Sequence, residues 1–162
     1  MLIGLISDTH DHVPNIKKAV NYFRNQNVDM VLHAGDYCSP FTISHFEGVK
    51  LHGIFGNNDG DRYLLMKKFS QIEGTMHGDF FEAEFDKLKL ALYHGTYPAI
   101  TQSLAKAQIY DVVVTGHTHE HNMENVGSTL AINPGTAHGF EGEAMVATLD
   151  TGSRQVHFKE LE

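Results

Sequence analysis

The stretch LIGLISDTHD, residues 2–11, places an apolar run of strand length directly before a cluster of acidic and histidine side chains. Leu2–Ser7 is predicted to be a buried β-strand because it is short, continuous and mostly apolar. The next segment, Val13–Gln26, repeats apolar residues at helical spacing and carries a proline in its first turn. A buried strand followed directly by an amphipathic helix is typical of an α/β sheet.

The rest of the chain continues this alternation of strands and helices. Further strands are predicted at Asp29–Ala34, Lys50–Phe55, Asp79–Phe85, Leu88–Tyr93 and Asp111–Thr115, and near Asn122–Val126, Thr129–Asn133, Glu143–Asp150 and Gln155–Lys159. Further helices are predicted at Pro40–Phe46, Asp61–Gln71 and Pro98–Gln108. Because no linker, repeat or low-complexity tract interrupts the pattern, residues 1–162 are expected to form one α/β domain with two packed sheets and helices outside.

The composition excludes several classes of protein. A single cysteine, Cys38, excludes an internal disulfide and a cysteine-rich metal cage. The net charge of −8 argues against a broad nucleic-acid-binding surface. No stretch approaches the ~20 apolar residues of a membrane-spanning helix, and the apolar run before Asp8 is too short for a signal peptide. A cytoplasmic location without a membrane partner is expected, and the oligomeric state stays open, a homo-oligomer included.

Polar motifs follow five of the predicted strands. They are Ser7–Asp11, Gly35-Asp36, Gly56–Asp59, His94-Gly95 and Gly116–His119. Since ligands of α/β sheets bind beyond the carboxyl ends of the strands, these motifs are expected to meet at one edge. Asp8 and His10 are two residues apart, as are His117 and His119. In an extended chain the two side chains of such a pair lie on the same side, so each pair is able to bind one ion. Imidazole and oxygen ligands without thiolate favour Mn, Fe, Zn, Co or Ni.

In this order, the motifs Asp-x-His, Gly-Asp, Gly-Asn-x-Asp, His-Gly and Gly-His-x-His resemble the calcineurin-like metallophosphoesterase superfamily. Their SDTHD and GNND versions resemble its compact bacterial and archaeal phosphodiesterases, a group that includes a eukaryotic retromer-complex subunit. The resemblance covers essentially the whole chain and implies a four-layer α/β/β/α sandwich of two mixed sheets flanked by helices. It also implies a dinuclear-metal-dependent phosphodiesterase, in which a metal-bridging hydroxide attacks a small phosphodiester substrate in line. Manganese is the first metal expected, with Ni, Fe, Zn and Co as alternatives.

The resemblance further implies a role for each of seven side chains, all present in this chain. It implies one ion held by Asp8, His10 and His119, a second ion held by Asn57, His94 and His117, and Asp36 as the bridge between them. Two divalent ions outweigh the two carboxylates, so the site is expected to be locally positive and suited to a phosphodiester anion.

One position departs from many members of the superfamily. Many members carry a histidine there that acts as general acid or transition-state contact, and the next acidic residue orients that histidine. Here Asn58 occupies the place and is followed by Asp59. An amide donates a hydrogen bond to a phosphoryl oxygen but cannot protonate a leaving group, a contribution worth ~10²–10⁴-fold. Catalytic roles are therefore assigned to Asp36, Asn58 and Asp59, with faster turnover expected for esters that have good leaving groups.

Two other functions stay open. A phosphomonoesterase or nucleotidase would use the same site. A protein-interaction scaffold like the retromer relative would keep the fold without catalysis, although the retained His10 and His94 argue against it. Among the remaining histidines, His33 is expected to be structural and His138 ordinary. The segment Asn133–Gly135 resembles a family segment near the site, and a structural turn explains it equally well.

Overall fold

The computed structural model describes residues 1–140 and 142–162 and confirms the alternation of strands and helices. In these residues the strands are β1 (Leu2–Ile6), β2 (Met30–His33), β3 (Leu51–Gly53), β4 (Thr75–Met76), β5 (Phe80–Phe85), β6 (Leu88–Tyr93), β7 (Val112–Val114), β8 (Asn122–Val126), β9 (Thr129–Asn133), β10 (Met145–Asp150) and β11 (Val156–Glu160). The helices are α1 (Val13–Asn25), α2 (Arg62–Gln71) and α3 (Pro98–Lys106), and a 3₁₀ helix spans Pro40–Phe46. Strand β4 was not predicted, because two residues are too few to show a period.

The strands form two mixed sheets. The six-stranded sheet has the order β11-β10-β1-β2-β3-β4, in which β1 to β4 run parallel and β10 runs antiparallel to β1. The five-stranded sheet has the order β5-β6-β7-β9-β8, in which β6, β7 and β9 run parallel. Neighbouring parallel strands end at the same edge of their sheet, so the polar motifs that follow them are collected together.

Two hydrophobic clusters fill the spaces between the layers of the domain. Between the sheets, side chains such as Leu5 and Leu92 are fully buried. On the other face of the six-stranded sheet, α1, α2 and the 3₁₀ helix bury Phe23, Phe46 and Phe69. Full burial of such a side chain contributes about 1.5–3 kcal/mol. Helix α3 packs on β7 and β9 of the five-stranded sheet. The α/β/β/α sandwich of two mixed sheets is thereby confirmed, and no helix among the described residues is long and apolar enough to cross a membrane.

A histidine pair lies at the β3–β4 edge of the six-stranded sheet. The Nδ1 atom of His52 is 2.9 Å from the Nε2 atom of His77, and the His77 ring stacks on Phe81 with 3.9 Å between centroids. Burial lowers the pKa of both histidines below the ordinary 6.5, and the proximity of His77 lowers that of His52 further. The unfolded chain therefore binds more protons than the folded chain once the pH falls below this value. As the pH falls from about 6.5 toward the lowered pKa values of the folded chain, the histidine pair therefore decreases the free energy of unfolding.

Replacing His77 by phenylalanine is expected to make the protein less sensitive to acid. The new ring keeps the stacking on Phe81, and one group whose folded pKa is depressed is removed. We expect the melting temperature of His77→Phe to fall less steeply than that of the wild type between about pH 7 and about pH 5. The same substitution at the exposed His157, His157→Phe, serves as the control. Equal slopes for His77→Phe and the wild type would contradict this expectation.

Candidate metal centre

The predicted ligands lie in loops that directly follow β1, β2, β3, β6 and β7. Several of them have a left-handed backbone, namely Asp8 (φ 52°), His10 (φ 38°), Asp36 (φ 60°), His117 (φ 69°) and His119 (φ 64°). This conformation is uncommon for residues other than glycine and costs of order 1–3 kcal/mol at each position. Strain of this kind persists only where the surrounding structure holds it in place, and it collects at functional sites.

The loops after β1 and β2 hold each other in place through their backbones. The Asp8 N–H donates to the Gly35 carbonyl at 3.0 Å, and the His10 N–H donates to the Asp36 carbonyl at 3.1 Å. Glycine is required where a third loop approaches, because a Cβ atom on Gly56 would overlap the Asp36 carboxylate. The two carboxylates are therefore fixed relative to each other by the main chain.

Asp59 lies buried beneath these loops with both carboxylate oxygens on backbone donors. Oδ1 accepts the N–H groups of Tyr37 (2.7 Å) and Cys38 (2.9 Å), and Oδ2 accepts those of Asp36 (3.1 Å) and Gly56 (2.7 Å). Burial raises the pKa of Asp59, and the backbone bonds from Gly56 and Cys38 lower it in part. These contacts fit a residue that positions the loops, and the catalytic role assigned to Asp59 from the sequence stays a prediction.

Asp8 is fully buried at the centre of the cluster. Its Oδ1 atom lies 3.7 Å from His10 Nε2 and 3.5 Å from His119 Nε2. Its Oδ2 atom accepts the backbone N–H of His117 at 3.0 Å. Burial acts to raise the pKa of Asp8, but His10 and His119 outweigh it and hold that pKa well below its usual range. The ionised carboxylate is the form that binds a cation.

Asp36 faces histidines of both predicted ion sites. Its Oδ2 atom is 3.5 Å from His10 Nε2 and 3.4 Å from His94 Nε2. Asn58 donates its backbone N–H to Oδ1 and its side-chain amide N–H to Oδ2, each at 2.8 Å. Burial acts to raise the pKa of Asp36, but the bonds from His94 and Asn58 outweigh it and lower that pKa. The Asn58 side chain is thus hydrogen-bonded to the predicted bridging carboxylate.

The ring of His94 has a fixed orientation. Its Nδ1 atom donates to the Ala34 carbonyl at 2.7 Å, which directs Nε2 toward the site. There Nε2 lies 3.0 Å from Asn57 Oδ1. Burial lowers the pKa of His94, but Asp36 and Asp8 outweigh it and raise that pKa. An Nε2 atom that faces oxygen acceptors needs a proton or a cation between them. The His117 ring packs edge-on against His94 at 5.2 Å, so all seven predicted ligands lie in one cluster.

The fit of this cluster to metal ions rests on two buried atoms. Asp8 Oδ1 and His10 Nε2 have no hydrogen-bond partner within residues 1–140 and 142–162. Burying such polar atoms without a partner is costly, and a shared cation would satisfy both. Two ligands that are each about 2.1 Å from one ion at the tetrahedral angle are about 3.4 Å apart. The separations of 3.4–3.7 Å between carboxylate oxygens and ring nitrogens match this value. The residues present therefore fit divalent ions.

His138 is a member of the cluster that the sequence pattern did not show. Its ring centroid is 4.8 Å from that of His10 and 4.7 Å from that of His119. One ring nitrogen of each of the three histidines lies within 4.8 Å of the others. Burial, together with His10 and His119, lowers the pKa of His138 to about 4. The only signal near it was the segment Asn133–Gly135, which a structural turn explained equally well.

The other histidines near the motifs have structural contacts. His33 is fully buried, accepts the Gly35 N–H at 3.1 Å and stacks on Tyr37 at 3.8 Å between centroids. His12 accepts the Asn15 N–H at 3.3 Å and so caps the first turn of α1. These contacts agree with the structural role expected for His33.

Comparisons with known proteins give a consistent result. The sequence model of the calcineurin-like phosphoesterase superfamily domain matches residues 1–154. The phosphodiesterase MJ0936 of Methanocaldococcus jannaschii is 42% identical over 159 residues, which cover 96% of each chain. The structure of an archaeal phosphodiesterase has a TM-score of 0.95 at 40% identity, over 99% of this chain and 100% of that chain. A Vps29 of Entamoeba histolytica with a single substitution has a TM-score of 0.72 at 18% identity over the full length of both chains, a likeness of fold alone.

Fold, ligand cluster and family match together define a metal-dependent phosphoesterase. The chain belongs to the calcineurin-like phosphoesterase superfamily. The resemblance based on five short motifs is thereby confirmed over nearly the whole chain. Divalent metal ions are the cofactors that this family implies, and the described residues include candidate ligand groups of aspartate and histidine.

Proposed function

We propose that this protein is a dinuclear-metal-dependent phosphodiesterase. The observation that carries the proposal is the position of Asp36, whose Oδ2 atom is 3.5 Å from His10 and 3.4 Å from His94. One ion is assigned to Asp8, His10 and His119, the other to Asn57, His94 and His117, and Asp36 is shared between them. The 42% identity to a protein named as a phosphodiesterase supports a diester as the substrate.

The chain's own residues prepare this site for an anionic substrate. When bound, two divalent ions supply a water of lowered pKa for in-line attack and neutralise charge on the phosphoryl oxygens. The Ala34 carbonyl orients His94, and Asn58 holds Asp36 through two hydrogen bonds. On a protein of net charge −8, local positive charge directs a phosphate ester to this cluster. Manganese as the resident metal and a cytoplasmic location stay predictions.

The proposal is tested by reconstituting metal-free protein with Mn²⁺, Ni²⁺, Zn²⁺ or Co²⁺ and assaying matched aryl phosphodiester and monoester substrates. We expect two ions per chain and faster hydrolysis of the diester. Preference for the monoester would favour the phosphomonoesterase or nucleotidase alternative. A protein that binds two ions and hydrolyses neither substrate would favour the interaction scaffold.

Removal of the metal ions is expected to lower the melting temperature. An ion that binds only the folded chain at about 100 times its Kd stabilises it by about 2.7 kcal/mol. For a domain of this size that energy corresponds to roughly 5–11 °C. Differential scanning fluorimetry before chelation, after chelation and after return of Mn²⁺ measures the shift. A melting temperature that changes neither after chelation nor after the return of Mn²⁺ would contradict the proposed metal centre.

The rate is expected to depend strongly on the leaving group. The amide of Asn58 is too weak an acid to transfer a proton, so a poor leaving group departs without the ~10²–10⁴-fold help of a general acid. In a series of aryl phosphodiesters, log kcat should fall as the pKa of the leaving phenol rises, and alkyl diesters should be slowest. A flat plot would mean that another group protonates the leaving oxygen.

A further inference from the structure

His138 lies against the proposed metal centre in a tautomer that does not suit an ion. Its Nδ1 atom accepts the backbone N–H of Phe140 at 2.9 Å. The proton of the neutral ring is then on Nε2, which leaves that atom without a lone pair for a metal. We infer that His138 is a substrate-binding residue, whose Nε2–H donates a hydrogen bond to a non-bridging oxygen of the substrate phosphate. The inference rests on the proposed phosphodiesterase function.

The backbone around His138 is fixed to the strand that carries Asp8. The His138 N–H donates to the Asp8 carbonyl at 3.1 Å, and the Ala137 N–H donates to the Ser7 carbonyl at 3.0 Å. The side-chain amide of Asn15 donates to the carbonyls of Ala137 and His138, at 2.9 Å and 3.2 Å. These bonds set the distance between His138 and the metal ligands, as preorganised donors require.

The ring of His138 is fixed as well as its backbone. It packs edge-on against His10 and His119, and the Phe140 ring covers it at 4.5 Å between centroids. Within the described part of the chain, Nε2 forms no hydrogen bond. A donor that is held rigidly and has no acceptor among residues 1–140 and 142–162 is suited to an acceptor on a ligand.

Space for such a ligand lies beside His138. A cavity of about 430 Å³ is bordered by His138, His119, Thr118 and Thr136 on the side of the metal centre. This volume is within the range of small-molecule sites. Among the described residues no lysine or arginine lines the cavity, and Glu120 and Glu143 border it as well. A phosphate there therefore depends on the metal ions for its charge and on neutral donors for its hydrogen bonds. The His138 N–H, whose ring is held by its Nδ1 bond, is one of the neutral side-chain donors of this lining, together with the Thr118 hydroxyl and the His121 ring.

Three variants separate this role from metal binding. His138→Ala removes the donor, His138→Gln places an amide N–H near the position of Nε2, and His138→Asn is too short to reach it. The protein is reconstituted with Mn²⁺, and three quantities are measured: bound Mn²⁺ per chain, the Kd of inorganic phosphate by calorimetry, and kcat/KM for an aryl phosphodiester. The exposed His157→Ala serves as the control.

We expect His138→Ala and His138→Asn to keep the wild-type Mn²⁺ content while losing ~10- to 100-fold in phosphate affinity and kcat/KM. His138→Gln should recover much of the phosphate affinity. Loss of Mn²⁺ from His138→Ala, or an unchanged Kd for phosphate, would overturn the inference. Failure of the proposed function would give a different result, namely a wild-type protein that hydrolyses no ester. In that case the phosphate affinities of the wild type and the variants can still be compared, so the role of His138 is tested separately. His138→Gln tests the role even if His138→Ala does not fold.

Discussion

Replacing Asp36 by asparagine is expected to lower kcat/KM for an aryl phosphodiester by at least ~10³-fold, because the charge stabilisation that a metal centre supplies is worth several kcal/mol. The amide is neutral and retains only one acceptor oxygen. It cannot face His10 and His94 with the same carboxylate oxygen and still accept both hydrogen bonds from Asn58. We expect bound Mn²⁺ to fall below two ions per chain. Steady-state kinetics and metal analysis on the same samples measure both effects.

The control for this variant is Asp79→Asn. Asp79 is exposed and pairs at 2.8 Å with Arg62, which is not a predicted ligand, so its loss should leave activity and metal content unchanged. If Asp36→Asn keeps both ions and wild-type activity, Asp36 does not bridge the ions. The proposal of a dinuclear centre then loses its main support.

Replacing Asp59 by alanine is expected to destabilise the fold by about 3–5 kcal/mol, because four buried backbone N–H groups lose their shared acceptor and each unsatisfied group costs about 1–3 kcal/mol before the loops relax. The four donors on Asp59 belong to the loops after β2 and β3, so the loops that carry Asp36 and Asn57 lose their common anchor. Urea denaturation of the metal-free protein measures the change in free energy of unfolding.

Asp79→Ala again provides the matched control, with an expected change within about 0.5 kcal/mol. The same experiment separates the two roles considered for Asp59. A large loss of activity in a variant of wild-type stability would support the catalytic assignment made from the sequence. A large loss of stability supports a residue that positions the loops.

Local patterns were sufficient for most of the fold. Strands such as β1 and β6 are short apolar runs bounded by polar residues, and helix α1 has a regular apolar face with proline in its first turn. Strand β4 has only two residues and forms because β3 offers it a parallel edge. The segment Pro40–Phe46 was predicted as a short helix, and its 3₁₀ geometry is a tighter form of the same turn.

The ligand cluster was predictable because its members repeat one arrangement, a polar motif at the end of a strand. The contacts of His138 were not predictable from the sequence, because the hydrogen bond from its backbone N–H to the Asp8 carbonyl joins distant parts of the chain. The same holds for Asn58 and Asp59. Their side chains bind Asp36 and the backbone around it, which lie in a loop more than 20 residues earlier in the sequence. Long-range hydrogen bonds of this kind leave no period or spacing in a sequence.

The ligand cluster joins the two sheets. Asp8 and Asp36 follow strands of the six-stranded sheet, whereas His94 and His117 follow strands of the five-stranded sheet. Separation of the sheets during unfolding must therefore break bonds to any ion held between them. An ion that stays bound until the sheets part slows unfolding more than it speeds folding, and this lengthens the lifetime of the native chain. Ions bound in this cluster are therefore expected to lengthen the time for which the chain resists proteases that act on its unfolded form.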